Sequence, residues 1–263
     1  MTKGDSVFAG NRRHQRLAAV ALLTSLALGA LGSQARGAAQ AQITVYAAAS
    51  LMDVFPKIDP NQKYSFGASN TLAAQIQQGA PADVFASANM AIPNQLFSRG
   101  ACSKPVAFTR NTLVVVIPKA NPAGIRAVYD LTKPGVKIVV AGAGVPVGRY
   151  TLQILKNMNL STGVLQNVVS RETDVRDVLS KVALGEADAG FVYSTDAKSV
   201  PGKVTVLKLP AWAQPKVRYG MCIVGSSAHK TDAQAFVNKV LGKAGQAKLI
   251  AAGFLPRAKP AKR

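Results

Sequence analysis

Cysteine, histidine, tryptophan and acid are all scarce in this chain of 263 residues. Two cysteines, Cys102 and Cys222, exclude a disulfide-dense miniprotein and a cysteine-based zinc ribbon. Two histidines, His14 and His229, leave little for acid–base or metal chemistry. No serine stands in a G-x-S-x-G elbow, and no nucleophile–base pair is visible, so the sequence offers no enzyme site. Aromatics are 6% of the residues and no basic run is interleaved with them, which argues against a nucleic-acid partner. Only 12 acids face 32 basic residues, a net charge of +20. The basic residues scatter singly, as at Lys119, Arg126, Lys133, Lys137, Lys156, Lys181 and Lys203, and read as a solvated basic surface. Such a surface steers small anions inward from a distance and holds a protein near an anionic membrane or wall.

What is present begins with a leader. Lys3, Arg12, Arg13 and Arg16 precede an apolar run of 15 residues, Leu17 to Leu31, and Ala39-Gln40-Ala41 closes it. A basic head, an apolar middle and a small-residue exit are the parts of a secretory signal over residues 1–41. The run falls short of the roughly 20 residues that span a bilayer; a membrane anchor is the competing reading. The Arg12-Arg13 pair leaves the export route open between general and twin-arginine. No cysteine stands at the exit to carry a lipid. Cleavage removes five basic residues and one acid, taking the net charge from +20 to +16. Outside the cytoplasm Cys102 and Cys222 can pair or stay as two buried thiols. At 48% apolar and 17% charged the remainder is globular. The Arg257–Arg263 tail, rich in Lys, Arg, Pro and Ala, reads as disordered.

Along the mature chain strands alternate with helices, which predicts an α/β fold with parallel sheets. Strands are expected at 43–46, 63–66, 82–86, 113–117, 137–141, 189–193, 204–207 and 217–224. Helices are expected over 51–58, after Ser69, from Tyr150, from Thr173 and over 232–250. Leu113-Val-Val-Val-Ile117 is apolar throughout, as in a strand buried on both faces.

One event recurs: a strand ends, a small or polar residue follows, and a helix begins. It occurs at Ser50, at Ser69, in the Gly-Pro-Gly loop around Val147, and at Thr173. Helix starts carry unpaired N–H groups and roughly half a positive charge. They are ready anion sites, and in open α/β sheets they gather at the carboxyl edge. Any one such serine alone is an ordinary N-cap; four convergent starts in a basic exported chain point to an anion.

In this order the motifs resemble the periplasmic molybdate-binding proteins of ABC importers. The residues are Ile43-Thr-Val-Tyr-Ala-Ala-Ala-Ser-Leu51, Phe66-Gly-Ala-Ser-Asn-Thr-Leu-Ala-Ala-Gln-Ile76, Gly79-Ala-Pro-Ala-Asp-Val-Phe-Ala-Ser-Ala88, Val145-Pro-Val-Gly-Arg-Tyr150, Asp174-Val-Arg176 and Gly190-Phe-Val-Tyr-Ser-Thr-Asp196. The match spans about 43–256. The resemblance implies two α/β lobes, 43–117 with 219–256 and 119–216, joined by crossing strands at 113–117 and 217–224, with the ligand between them. It implies a tetrahedral oxyanion, molybdate or tungstate, held by neutral donors and no cofactor. Ser50 and Ser69 would give hydroxyl and backbone N–H, Val147 and Val175 backbone N–H, and Tyr193 its phenol. Asn70 and Arg149 stand nearby, either as added donors or as a helix cap and a solvated cation. Asp83 and Asp196 are expected to be structural, and Glu172 and Asp174 to complement a helix dipole. It further implies a monomer in the periplasm, an inner-membrane permease as partner, and binding without turnover. The alternative is the same fold holding another oxyanion such as sulfate.

Overall fold

The computed structural model describes residues 41–258. The leader up to Gln40 and the tail from Lys259 lie outside the described residues. Among the described residues no helix is long and apolar enough to cross a membrane.

The first half opens with β1 (Thr44–Ala48), a 3-10 turn at Ala49–Leu51, α1 (Phe55–Ile58), β2 (Lys63–Gly67), α2 (Ser69–Gln77), β3 (Val84–Ser87), α3 (Ala91–Ser98) and β4 (Val106–Asn111). The chain then changes sheet. β5 (Leu113–Pro118), β6 (Ile138–Ala141), α4 (Pro146–Asn157), α5 (Ser161–Gln166), β7 (Val168–Glu172), α6 (Val175–Ala183), β8 (Ala189–Tyr193), α7 (Ser194–Lys198) and β9 (Val204–Lys208) follow. It returns through β10 (Val217–Ile223) and closes with α8 (Lys230–Leu241) and α9 (Lys243–Ala251).

Two five-stranded sheets result, β2-β1-β3-β10-β4 and β7-β6-β8-β5-β9. The sheets are mixed, not parallel as expected. β1 pairs parallel with β2 and β3, and β6 with β7 and β8. β10 runs antiparallel to β3 and β4, and β5 antiparallel to β8 and β9. The physical reason is the double crossing: a strand entering from the other lobe arrives from the far end. Val114 pairs with Val192 and Lys208, so β5 lies within the second sheet. The outward crossing is Thr112 alone, and the return is 209–216. The two crossings are tied together. The Gln214 amide accepts from Leu113 N at 3.1 Å and donates to Leu113 O at 2.7 Å.

Local sequence explains the packing around each strand. Every residue of β5 is buried, as an all-apolar β-branched run between two helical layers should be. In α6 the buried residues are Val175, Val178, Leu179 and Val182, one apolar stripe at helical spacing. That stripe lies so close to β8 that a Cβ on Gly190 would meet Val178 Cγ1 at 2.7 Å. The expected helix over 232–250 is two helices, because the extended backbone of Gly242 ends α8 and starts α9. Cys102 and Cys222 are disulfide-bonded, with Cα atoms 5.9 Å apart. They close a small apolar cluster with Leu72, Ile76, Phe85 and Leu96.

Candidate functional site

The carboxyl ends of β1, β2 and β3 meet those of β6 and β8 across a cleft. In it lies a cavity lined by Ala48, Ala49, Ser50, Gly67, Ala68, Ser69, Ala88, Val145, Pro146, Val147, Asp174, Val175 and Tyr193. Its volume is about 10 Å³, close to the roughly 10–15 Å³ that one water-sized centre requires. Ser50, Ser69, Val147, Val175 and Tyr193, drawn from 144 residues of sequence, therefore share one cavity. Asn70 and Arg149 do not line it. They line a neighbouring groove with Gln77 and Gly144, and Arg149 is exposed.

Each donor is set by its element. Ser69 is 1% exposed at the first position of α2. Its Oγ accepts the Ala88 N–H at 3.1 Å, which leaves the hydroxyl proton free to point elsewhere. Ser50 is 3% exposed in the 3-10 turn after β1, and its Oγ lies 2.8 Å from Tyr219 Oη. Val147 occupies the first turn of α4, behind Pro146. Proline suits a helix start because the N–H it lacks would have no helical partner there. The start of α4 is pressed against the end of β6: a Cβ on Gly148 would fall 2.2 Å from Gly142 O and 2.4 Å from Ala141 O. Only glycine brings this helix end so near the strand. The helix expected from Tyr150 thus begins four residues earlier, and places Val147 N–H on the cavity.

α6 begins at Val175, not Thr173, because Asp174 is its N-cap. The Asp174 carboxylate accepts Arg176 N and Asp177 N. Those two amides are thereby occupied, whereas Val175, which lines the cavity, has an N–H without a partner among the described residues. Asp174 thus caps the helix as expected, but it also lines the cavity, so the walls are not wholly free of carboxylate. Glu172 departs from its expected role: it pairs with Lys181 at 2.8 Å. Tyr193 is 1% exposed, and its Oη is buried with no hydrogen-bond partner among the described residues. Burial pushes its pKa far up, so the phenol keeps its proton and can donate.

No Lys or Arg lines the cavity. Arg176, which the sequence motif contains without a task, follows Val175 in α6 and joins three groups. Its Nη2 reaches Asp53 of the first lobe, its Nε lies 3.2 Å from Asp196 Oδ1, and its Nη1 donates to Ser199 Oγ at 2.9 Å. Asp196 is fully buried and accepts Tyr193 N–H at 3.1 Å. Burial raises its pKa to about 7 against the lowering pull of Arg176. Asp83 accepts Thr44 N at 2.8 Å and Ser227 Oγ at 2.6 Å, a structural role. Tyr219 and Asn111 were missed altogether, because their contacts with the site join residues far apart in sequence.

Residues 43–255 match the family model described as bacterial extracellular solute-binding protein. The chain belongs to that family. Among its relatives is the molybdate-binding protein ModA of Mycobacterium tuberculosis, 39% identical over 222 residues, covering 81% of this chain and 84% of that one. The solute-binding protein also superposes on the periplasmic molybdate-binding protein of Azotobacter vinelandii. There the TM-score is 0.72 at 24% identity, covering 82% of this chain and 100% of that one. The sulfate-binding protein SubI of Mycobacterium tuberculosis gives the same TM-score, 0.72, at 20% identity over 84% of this chain and 88% of that one. Both structures share its fold of two mixed α/β sheets flanking a cleft.

Proposed function

We propose that this solute-binding protein captures molybdate, and tungstate alongside it, through Ser50, Ser69, Val147, Val175 and Tyr193, and delivers it to the inner-membrane permease of an ABC importer. It acts in the periplasm, as a monomer, by binding without turnover. The observation that carries the reading is the shared lining of one cavity: Ser50, Ser69, Val147, Val175 and Tyr193 come together in it, with Asp174 and no basic side chain in its wall. Identity to ModA proteins supports the choice of anion.

The chemistry follows from proton counting. Molybdate and tungstate are fully deprotonated at neutral pH, so every oxygen accepts. A donor set leaves none of them unpaired. A protonated phosphate brings a donor that needs an acceptor, and pays the cost of a buried unpaired group. Sulfate is also an all-acceptor dianion, so its exclusion falls to cavity size. Calorimetric titration of residues 42–263 with molybdate, sulfate and phosphate tests the reading. Tight molybdate binding with the other two silent is expected. Preferential sulfate binding would keep the donor site and replace the solute, and silence toward all three would refute the proposal.

A further inference from the structure

We infer that Tyr219 and Asn111 are positioning residues that fix the direction of the Ser50 hydroxyl, and so decide which protonation state of an oxyanion the cavity accepts. The inference deepens the oxyanion reading above and rests on it.

The argument runs along one chain of hydrogen bonds. Asn111 ends β4, one residue before the chain crosses to the second lobe. Its Oδ1 accepts Thr112 N at 2.9 Å and Ser194 Oγ at 3.0 Å. A backbone N–H can only donate, so this contact fixes the amide orientation. Its Nδ2 therefore faces Thr195 Oγ1 at 3.0 Å and Tyr219 Oη at 3.4 Å, and donates to both. Tyr219 Oη and Ser50 Oγ lie 2.8 Å apart, and the geometry lets either hydroxyl donate. With the Asn111 amide already on one acceptor site of Tyr219, the direction inferred is Tyr219 to Ser50, which turns the Ser50 proton toward the cavity that Ser50 lines.

Ser69 meets the same constraint by a shorter route, since the Ala88 N–H can only donate to its Oγ. Hydroxyls are ambivalent groups, able to donate or accept. Here each has its acceptor side taken up from behind. Tyr219 is held in place by ring contacts with Tyr193, Phe254 and Phe108 at centroid distances of 5.6, 5.5 and 6.0 Å. Phenylalanine at 219 keeps those ring contacts and removes the hydroxyl, while Asn111 Nδ2 retains Thr195 Oγ1 as its acceptor.

The test is a double-mutant cycle of Tyr219→Phe and Ser50→Ala, titrated calorimetrically with molybdate and with inorganic phosphate. Tyr219→Phe alone is expected to weaken molybdate by about tenfold, the equivalent of one hydrogen bond. It leaves phosphate unweakened, because the freed Ser50 oxygen can now accept the phosphate proton. In the Ser50→Ala background Tyr219→Phe costs nothing further, since it acts only through Ser50. An equal loss in both backgrounds, an equal loss for both anions, or no loss in either background overturns the inference. Ser50→Ala binding molybdate like the unaltered chain would instead overturn the site itself.

Discussion

Val175→Pro removes one donor of the proposed site, setting a ring carbon where the N–H stood, and leaves the helix start otherwise compatible. Asp174, the residue before it, is already extended at φ −150° and ψ −177°, the region that a following proline imposes. Val175 is the first residue of α6, the helix position where proline is best tolerated. Asp174 still caps Arg176 N and Asp177 N. The lost backbone N–H is the amide of that turn left without a partner. A hydrogen bond to a charged acceptor contributes about 1.5–3 kcal/mol, so molybdate affinity should fall by about 10- to 150-fold. Val175→Ala is the control. It keeps the N–H and removes two methyls from a site that is 4% exposed, at a cost of about 1–3 kcal/mol of stability. Calorimetry and thermal unfolding of the two variants separate the effects: proline should cost affinity, alanine mainly stability. Equal losses of affinity in both would mean that shape, not the donor, matters. Unchanged affinity in Val175→Pro would refute the reasoning that the helix start grips the anion.

Ser69→Ala should cost twice. Orphaning the buried Ala88 N–H costs about 1–3 kcal/mol, which lowers the ligand-free midpoint by several degrees, and the lost donor weakens molybdate. Calorimetry should find affinity weakened by Arg176→Ala, which cuts the tie to Asp53 across the cleft, whereas Arg149→Ala changes it by less than tenfold. Asp196 predicts a pH dependence. Its folded pKa of about 7 lies above the usual 3.8, so the native state holds the extra proton. Stability relative to Asp196→Asn should therefore fall as pH rises from about 4 to 7 and be level above; unfolding curves that stay parallel would contradict this. Replacing Cys102 and Cys222 with serine releases a loop of 120 residues, costing about 5 kcal/mol on chain entropy, measurable by denaturant titration.

The site was legible wherever it is local. A strand that ends in a small residue before a helix is a pattern within a dozen residues; it marked Ser50, Ser69 and the loop around Val147, and put the fourth helix start at Thr173, while Val175 came from the resemblance. Elements without such a pattern were missed. β4 reads Val-Ala-Phe-Thr-Arg-Asn with its first two residues exposed, and α3 carries Pro93 in its first turn, so neither shows its period. Strand direction was misjudged because alternation of strand and helix is the same whether or not the chain crosses between sheets. Tyr219 left no trace near Ser50, 169 residues away. Sequence offered candidate donors; the fold adds what stands behind two of them, the Ala88 N–H at Ser69 and Tyr219 at Ser50.

The charge of this protein and the chemistry of its cavity point to two separate tasks. A net charge of +20 draws an anion from a distance and is screened beyond about 8 Å at physiological salt. Yet no basic side chain lines the cavity. A lysine there would grip any anion of the right sign and would discriminate poorly between sulfate, phosphate and molybdate. Backbone N–H groups at helix starts supply partial charge fixed in direction, and hydroxyls held from behind by Ala88 and Tyr219 do the same. Such donors reward an oxygen that is bare and in the right place. On the proposed reading, attraction at range rests on scattered surface lysines and arginines, and selectivity at contact on donors held in direction, so that a strongly basic surface and a selective cavity do not conflict.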